Sequence, residues 1–442
     1  LKIDDTKDHV TQKALEESAT NRVPAGSILF VTRSGILERT LPTAHATVPV
    51  TINQDLKALT LSENVHPEFL LYYTRAVERL ILRQCSKHGT TVASLESGRL
   101  YRFPFPLPPL PEQRRIVARI EELFSNLDAG VGDLETAGRQ LERYRLSVLQ
   151  AAVEGRLTAD WRRTHDPEPA DQLLERILEE RRAQWEEDYR AKYEAKGKEP
   201  PSGWESRYSE PESCEIQNLS DLPDSWLWTN IDHLTTRGPQ NGLYLPKREY
   251  GSGTPILRID DFQNGWSRHS NQLQKVRACE DDVEKYSLEL GDLVVNRVNS
   301  MSHLGKCLLI DDSNVPSLFE SNMMRLHLAS MCDGKFVEYY LRSPIGRQYL
   351  IKDAKHAVNQ ASINQGDVKS TPVPLPPRVE QKQIVAQVER LLSVADDGAT
   401  TVERERTRAE RLRQSILKQA FSGRLVPHEI DEHDRPEKMR SR

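Results

Sequence analysis

Between residues 112 and 150 apolar side chains recur three and four positions apart. They are Ile116, Ile120, Leu123, Leu127, Leu134, Leu141, Tyr144 and Val148, with one gap at Gly130. That period predicts a long amphipathic helix. The seven-residue spacing of Ile120, Leu127, Leu134, Leu141 and Val148 marks one seam of a coiled coil. Ile384, Val388, Leu391, Val402, Leu412 and Ile416 hold equivalent slots in a second helix, whose middle, Glu403 to Arg413, is more charged. A helix of about 38 residues is roughly 57 Å long and cannot bury its stripe alone. The two are therefore predicted to pack on each other, antiparallel if the chain returns through the region between them. Ile120, Leu127, Leu134, Ile384, Val388 and Leu391 are the predicted interface.

Elsewhere the pattern changes. Leu173, Leu174, Ile177, Leu178, Trp185 and Tyr189 predict a charged helix within 161–200, and 197–221 is a linker rich in Pro, Ser, Gly and Glu. From 222 to 372 short β-like runs (Thr254 to Ile259, Asp292 to Val298, Lys306 to Ile310, Met323 to Leu328) alternate with Gly, Asn and Asp turns, and Phe336 to Tyr349 reads as a helix.

The two helices are copies. Pro106-Leu107-Pro108-Pro109, Glu112-Gln113 and Ile116-Val117-Ala118 return 268 residues later as Pro374-Leu375-Pro376-Pro377, Glu380-Gln381 and Ile384-Val385-Ala386. The register holds to Gly155-Arg156-Leu157 and Gly423-Arg424-Leu425, with 24 identities in 52 positions and no gap, which marks a duplication. Each copy has a proline run that keeps the chain extended, then a helix, then a glycine exit. A PLPP run can also serve as an SH3-type ligand, but both runs sit directly before a helix, which favours a joint. The duplication extends upstream. Phe69 to Arg75 parallels Phe336 to Arg342, and His88, Ser94 and Gly98 match His356, Ser362 and Gly366. Measured from the matching glycines Gly26 and Gly291, the second globular region has about 70 residues upstream and the first has 25. The first region is therefore expected to be short of roughly 45 residues.

Composition narrows the function. At roughly 150 residues per domain, 442 residues suggest about three domains. With 61 Lys plus Arg against 66 Asp plus Glu the net charge is −5, which excludes a uniformly basic nucleic-acid-coating protein but not a local DNA-binding surface. Five scattered cysteines (Cys85, Cys214, Cys279, Cys307, Cys332) with no C-x-x-C argue against a disulfide framework or zinc finger. No 18-residue apolar run suggests a membrane span. No phosphate-binding loop, dinucleotide fingerprint, nucleophile elbow or adenine-methyltransferase signature is present. His428 and His433 are five apart in a polar tail, the wrong spacing for zinc on one helical face. The chain is expected to perform no chemistry alone and to bind no metal or cofactor.

The PLPP…EQ…IVA…E…L pattern in both copies, each closing on Gly-Arg-Leu, resembles the specificity subunits of type I restriction-modification systems. So do the Leu157-Thr158-Ala159-Asp160-Trp161-Arg162 exit and the Leu222-Pro223-x-x-Trp226 lead-in to the second domain. The resemblance covers essentially the whole chain; the short first region is the departure. It implies an α+β fold in which two target recognition domains, the first incomplete, alternate with two long helices forming an antiparallel coiled coil. The implied layout is a partial first recognition domain at 1–104, a first helical region at 105–160 and a charged helix and linker at 161–221. A second recognition domain at 222–372, a second helical region at 373–427 and a polar tail at 428–442 complete it. It implies that each domain reads one half of a split double-stranded DNA target and that the helices act as a ruler for the spacer. It also implies that the chain docks two modification (methyltransferase) subunits and restriction/translocase subunits in the cytoplasm, away from membranes. S-adenosylmethionine, ATP and Mg are then expected in the partner subunits, which flip and methylate an adenine. The alternative is a remnant or silent scaffold that binds modification subunits but no longer specifies DNA; a stand-alone enzyme is a distant third.

Candidate DNA contacts follow from the residue types that read base edges, Arg for guanine and Asn or Gln for adenine. The loop Arg237 to Arg248 supplies Gln240, Asn241, Tyr244, Lys247 and Arg248; Asn296, Arg297 and Asn299 form a second group, followed by Arg258, Asn359, Gln360 and Asn364. In the first region Thr32, Arg33 and Ser34 are placed opposite Asn296 to Val298, allowing a one-residue shift, so Arg33 is the candidate there. Taken singly, each of these is more readily a turn or solvated surface residue. The Glu112-Gln113 and Glu380-Gln381 pairs fit either helix capping or contact with a modification subunit.

Overall fold

A computed structural model describes residues 2–17, 20, 22–87, 92–213, 219–358 and 360–427. The chain divides into two compact units, residues 1–138 with 400–442, and residues 139–399. Both long helices, Leu110–Val153 and Arg378–Ala420, contribute a segment to each unit.

In the first unit a four-stranded sheet has the order Lys2–Ile3, Thr43–Ala46, Ser27–Val31, Leu56–Leu59, with the first pair parallel and the others antiparallel. Helices Pro67–Ala76 and Glu78–Cys85 lie on it, burying Ile28, Phe30, Leu71, Ile81 and Cys85 in one core. Below this, Phe69 packs with Ile116, Val117, Ile120, Leu417 and Ala420, and its ring meets those of Phe105 and Phe421 edge-on at 5.8 and 5.2 Å. The helix segments run antiparallel: 116–120 lies against 416–420, and Asp128 pairs with Arg413.

In the second unit the main sheet is fully antiparallel, in the order Thr235–Asn241, Met323–Leu328, Asp292–Asn296, Cys307–Leu309. A second sheet joins Lys275–Val276, Tyr250–Leu257 and Leu318–Phe319. Leu227–Asn230 and Pro372–Leu375 pair antiparallel, so the proline run before the second helix is an edge strand, a place where missing N–H groups are tolerated. The helix segments are antiparallel here too: Leu141 lies beside Gly398, Arg145 bonds Asp396 at 2.6 Å, and Val148, Leu149 and Ala152 pack with Ile384 and Val388.

The seam differs from the heptad reading at specific places. Ile120, Ile384 and Val388 are fully buried, Leu391 is partly buried in the same cluster as Val388, and Leu127 and Leu134 are half-buried. Tyr144 and Leu412 face solvent. Their expected inward places are taken by Arg145, which reaches Asp396, and by Ala409, Arg413 and Leu417. Polar and small residues thus hold the middle of the pair, and large apolar residues close its ends. Two further expectations shift. The helix expected within 161–200 spans Ala170–Glu194, starting after Pro167 and Pro169. The helix expected at Phe336 to Tyr349 is two, Gly334–Arg342 and Pro344–Leu350, because Pro344 lacks an N–H and Ser343 caps the second helix at Gly346 N.

Candidate nucleic-acid interface

Two exposed polar surfaces form on the second unit. The first begins where Thr235–Asn241 leaves the main sheet. Gly242 crosses Glu320 so closely that a Cβ would stand 2.2 Å from its carbonyl oxygen, so only glycine lets the loop pass. Leu243 anchors beneath, and the next residue, Tyr244, is 78% exposed. The turn Lys247–Glu249 then presents Lys247 and Arg248 to solvent. Arg277 donates to the Arg248 carbonyl at 2.9 Å, and Glu249 takes ion pairs from Arg248 (3.1 Å) and Arg277 (3.3 Å). With the exposed Lys275 on the neighbouring strand, this edge carries four cations, two of them paired with Glu249. Arg258 stands beside it, held by Gln274 (3.1 Å) and by Glu320 (3.4 Å). Burial pushes the Glu320 carboxyl above the usual carboxylate range, against the Ile259 N–H and Arg258, which pull it down.

The second surface is a small sheet in which Gln360–Ser362 pairs with both Val298–Asn299 and Lys355–Ala357. Lys355, His356, Gln360 and the 91% exposed Val358 project from this hairpin. It brings the candidates Asn299 and Gln360 onto adjacent strands. Arg297 enters the same ladder through its backbone, its carbonyl accepting from Ile363 N at 2.9 Å, while its guanidinium donates to the Ser321 carbonyl at 3.2 Å.

The first unit repeats this device. Ser86–Lys87 pairs with Ser94–Leu95, and Ser94 bridges to Arg33. Leu95 N donates to the Thr32 carbonyl at 2.8 Å, the counterpart of the Ile363–Arg297 bond. Thr32 therefore corresponds to Arg297 and Arg33 to Val298, within the one-residue shift that the sequence comparison allowed. Arg33 is exposed.

Three candidates are taken by the fold. Gln240 turns inward: its amide oxygen accepts from Arg325 at 2.5 Å and its amide nitrogen donates to the Lys285 carbonyl at 3.2 Å. Its strand pairing carries register shifts on the way to Gln240, and the residue is partly buried. Asn296 is fully buried, because both faces of its strand are covered, and it donates to the His303 carbonyl at 3.1 Å. Asn364 caps the helix Gln365–Lys369 in a box with Asp367. Asn241, Tyr244, Lys247 and Arg248 remain on the first surface. Asn359 and the tail 428–442 lie outside the described residues. Lys275, Arg277, Lys355 and His356, which were not among the candidates, are exposed on the same two surfaces. The matched Lys87-His88 and Lys355-His356 were a legible signal for the last two.

The paired Glu-Gln residues are also placed. Gln113 and Gln381 are fully buried, and so is Glu380. Among the described residues no group of His, Cys, Asp and Glu could hold a metal ion, and no helix is long and apolar enough to cross a membrane.

Residues 1–132 and 239–400 match the family of type I restriction modification DNA specificity domains. The chain is similar to the specificity subunit of the type I restriction enzyme EcoKI of Escherichia coli strain K12, 26% identical over 340 residues; the match covers 76% of this chain and 61% of that protein. It is 36% identical over 147 residues to the EcoR124I/EcoR124II specificity subunit of Escherichia coli, covering 32% of this chain and 36% of that one. A solved structure concerned with complex assembly and conformational transition of a type I R-M system shares the fold. Its TM-score is 0.54 at 19% identity, over 91% of this chain and 83% of that one.

Proposed function

The chain belongs to the family of type I restriction modification DNA specificity domains, and from that membership we propose that it is the DNA sequence-specificity subunit of a type I restriction-modification complex. Each globular region reads one half of a bipartite double-stranded target, and the paired helices serve as the ruler for the unspecified spacer. The chain carries no catalysis of its own. It docks two modification subunits, which hold S-adenosylmethionine, and restriction/translocase subunits, which use ATP and Mg, in the cytoplasm. No residue of this chain is assigned to any of those cofactors.

One observation carries this reading. The same scaffold, a hairpin bonded to the strand beside it and a buried Gln at the helix start, occurs twice, with Thr32 and Arg33 in the first copy where the second has Arg297 and Val298. Such repetition suits two modules that do the same job on different sequences. Phosphate contacts fall to Lys247, Arg248, Lys275 and Arg277, and base-edge contacts to Asn241, Tyr244, Asn299 and Gln360.

The test is a methylation map after co-expression with the cognate modification subunit in a methylation-free host. A split, asymmetric motif with modified adenines is the expected result. A stable complex with no modified motif would favour the alternative, a scaffold that no longer specifies DNA.

A further inference from the structure

In the second unit a buried carboxylate ties together three segments that are far apart in sequence. Glu380, in the first turn of the second long helix, has no exposed surface. One of its oxygens accepts from the Thr158 hydroxyl at 2.6 Å and from the Arg162 guanidinium; the other accepts from the Trp226 indole N–H at 2.8 Å. Thr158 and Arg162 belong to the exit of the first long helix, and Trp226 to the lead-in of the second globular region. Arg162 also donates to the Gly155 carbonyl at 2.6 Å and lies 5.7 Å from the centre of the Trp226 ring. Gly155 has φ +71°, and a Cβ there would stand 2.7 Å from Pro223 Cγ. Helix exit and lead-in are thus in direct contact at a position that only glycine can fill.

A buried ion pair is a poor source of stability, since desolvation offsets most of its attraction, but it is strict about geometry. Here the strictness can be stated atom by atom. Arg162 and the indole N–H are obligate donors, and they approach opposite oxygens of one carboxyl. Only a carboxylate accepts on both sides. A glutamine must turn its NH2 towards one of the two donors, and an aspartate is a methylene too short.

We propose that Glu380 is a positioning residue that fixes how the second globular region is seated on its helix pair, and through that seating the half-site spacing the chain accepts. This rests on the proposed reading of a bipartite DNA target. The node touches no exposed surface of the candidate interface, so its effect is on where that interface points and not on what it contacts.

The test uses the full chain assembled with its modification subunits. The probes are duplexes that hold both mapped half-sites constant while the spacer is lengthened or shortened one base pair at a time. Wild type is expected to prefer one spacer. Glu380→Gln should flatten that preference by about tenfold while leaving the bases read in each half-site unchanged. Trp226→Phe removes the opposing donor, so its addition should restore much of the preference to Glu380→Gln. If Glu380→Gln does not fold, Trp226→Phe alone carries the test, with a smaller broadening expected. A uniform loss of affinity at every spacer, with the preference intact, would overturn the proposal and leave Glu380 merely structural. If wild type yields no bipartite motif at all, the functional reading fails and this inference with it.

Discussion

Gln113 and Gln381, 268 positions apart, make the same two hydrogen bonds. Each amide oxygen accepts from the backbone N–H of the residue that caps a helix of its own globular region, His66 at 2.8 Å and Asp333 at 2.7 Å. Each amide nitrogen donates to the carbonyl of a proline five residues earlier, Pro108 at 2.8 Å and Pro376 at 2.9 Å. The proline run, the long helix and the globular region are thereby pinned at one side chain in each copy. The buried glutamines thus neither cap their own helix nor face outward; they are internal staples.

Gln381→Ala should therefore destabilise the second unit by about 1–3 kcal/mol, because the Asp333 N–H and the Pro376 carbonyl lose a buried partner. Urea denaturation checks this, with the exposed Gln140→Ala as a control expected to stay within about 0.5 kcal/mol.

The two ends and the middle of the helix pair should respond differently. Ile384→Ala, fully buried against Val148 and Phe336, should cost about 2–5 kcal/mol. Leu412→Ala, on the solvent face, should cost no more than about 0.5 kcal/mol. Thermal melts of the two variants decide whether the inward positions are those of the structure or those of the simple heptad; equal losses would favour the heptad.

For the basic edge, Arg248→Ala with Arg277→Ala should weaken binding to all duplexes alike and reduce the slope of log affinity against log salt by about 1–2. The methylated motif should not change. A changed motif would move these arginines from phosphate to base contact.

Glu68 carries a pH dependence in the first unit. Burial raises its carboxyl, but its own backbone N–H, His45 (3.0 Å) and Lys2 (3.3 Å) outweigh that, and the net value lies below the usual carboxylate range. A depressed folded value contributes stability above the ordinary carboxylate range, and that stability is lost as the pH falls through the lowered value. Melting temperature should therefore drop on acidification from pH 7 towards pH 3, and Glu68→Gln should flatten part of that drop. Parallel curves for the two proteins would show that Glu68 contributes nothing.

The long helices were legible because a heptad repeated at a constant offset encodes both element and partner. Tyr144 and Leu412 were misread because the mid-helix contacts are made by Arg145–Asp396 and Arg413–Asp128, which an apolar pattern does not register. In the interface, the exposed Asn241, Tyr244, Lys247 and Arg248 lie in a loop that turn chemistry marks. Asn296 was illegible because its strand Asp292–Asn296 is buried on both faces, so alternation gives no inward or outward sign. Gln240 follows bulges that a linear pattern does not show. Asn364, by contrast, precedes Asp367 by three residues, a capping-box signature that was there to be read.

The pairing of Leu227–Asn230 with Pro372–Leu375 brings the two ends of the second globular region side by side. A segment that leaves the chain and rejoins it through one doorway can be exchanged as a cassette. A replacement segment of any length that ends in the same two paired strands would leave the register of the helix segments around it unchanged.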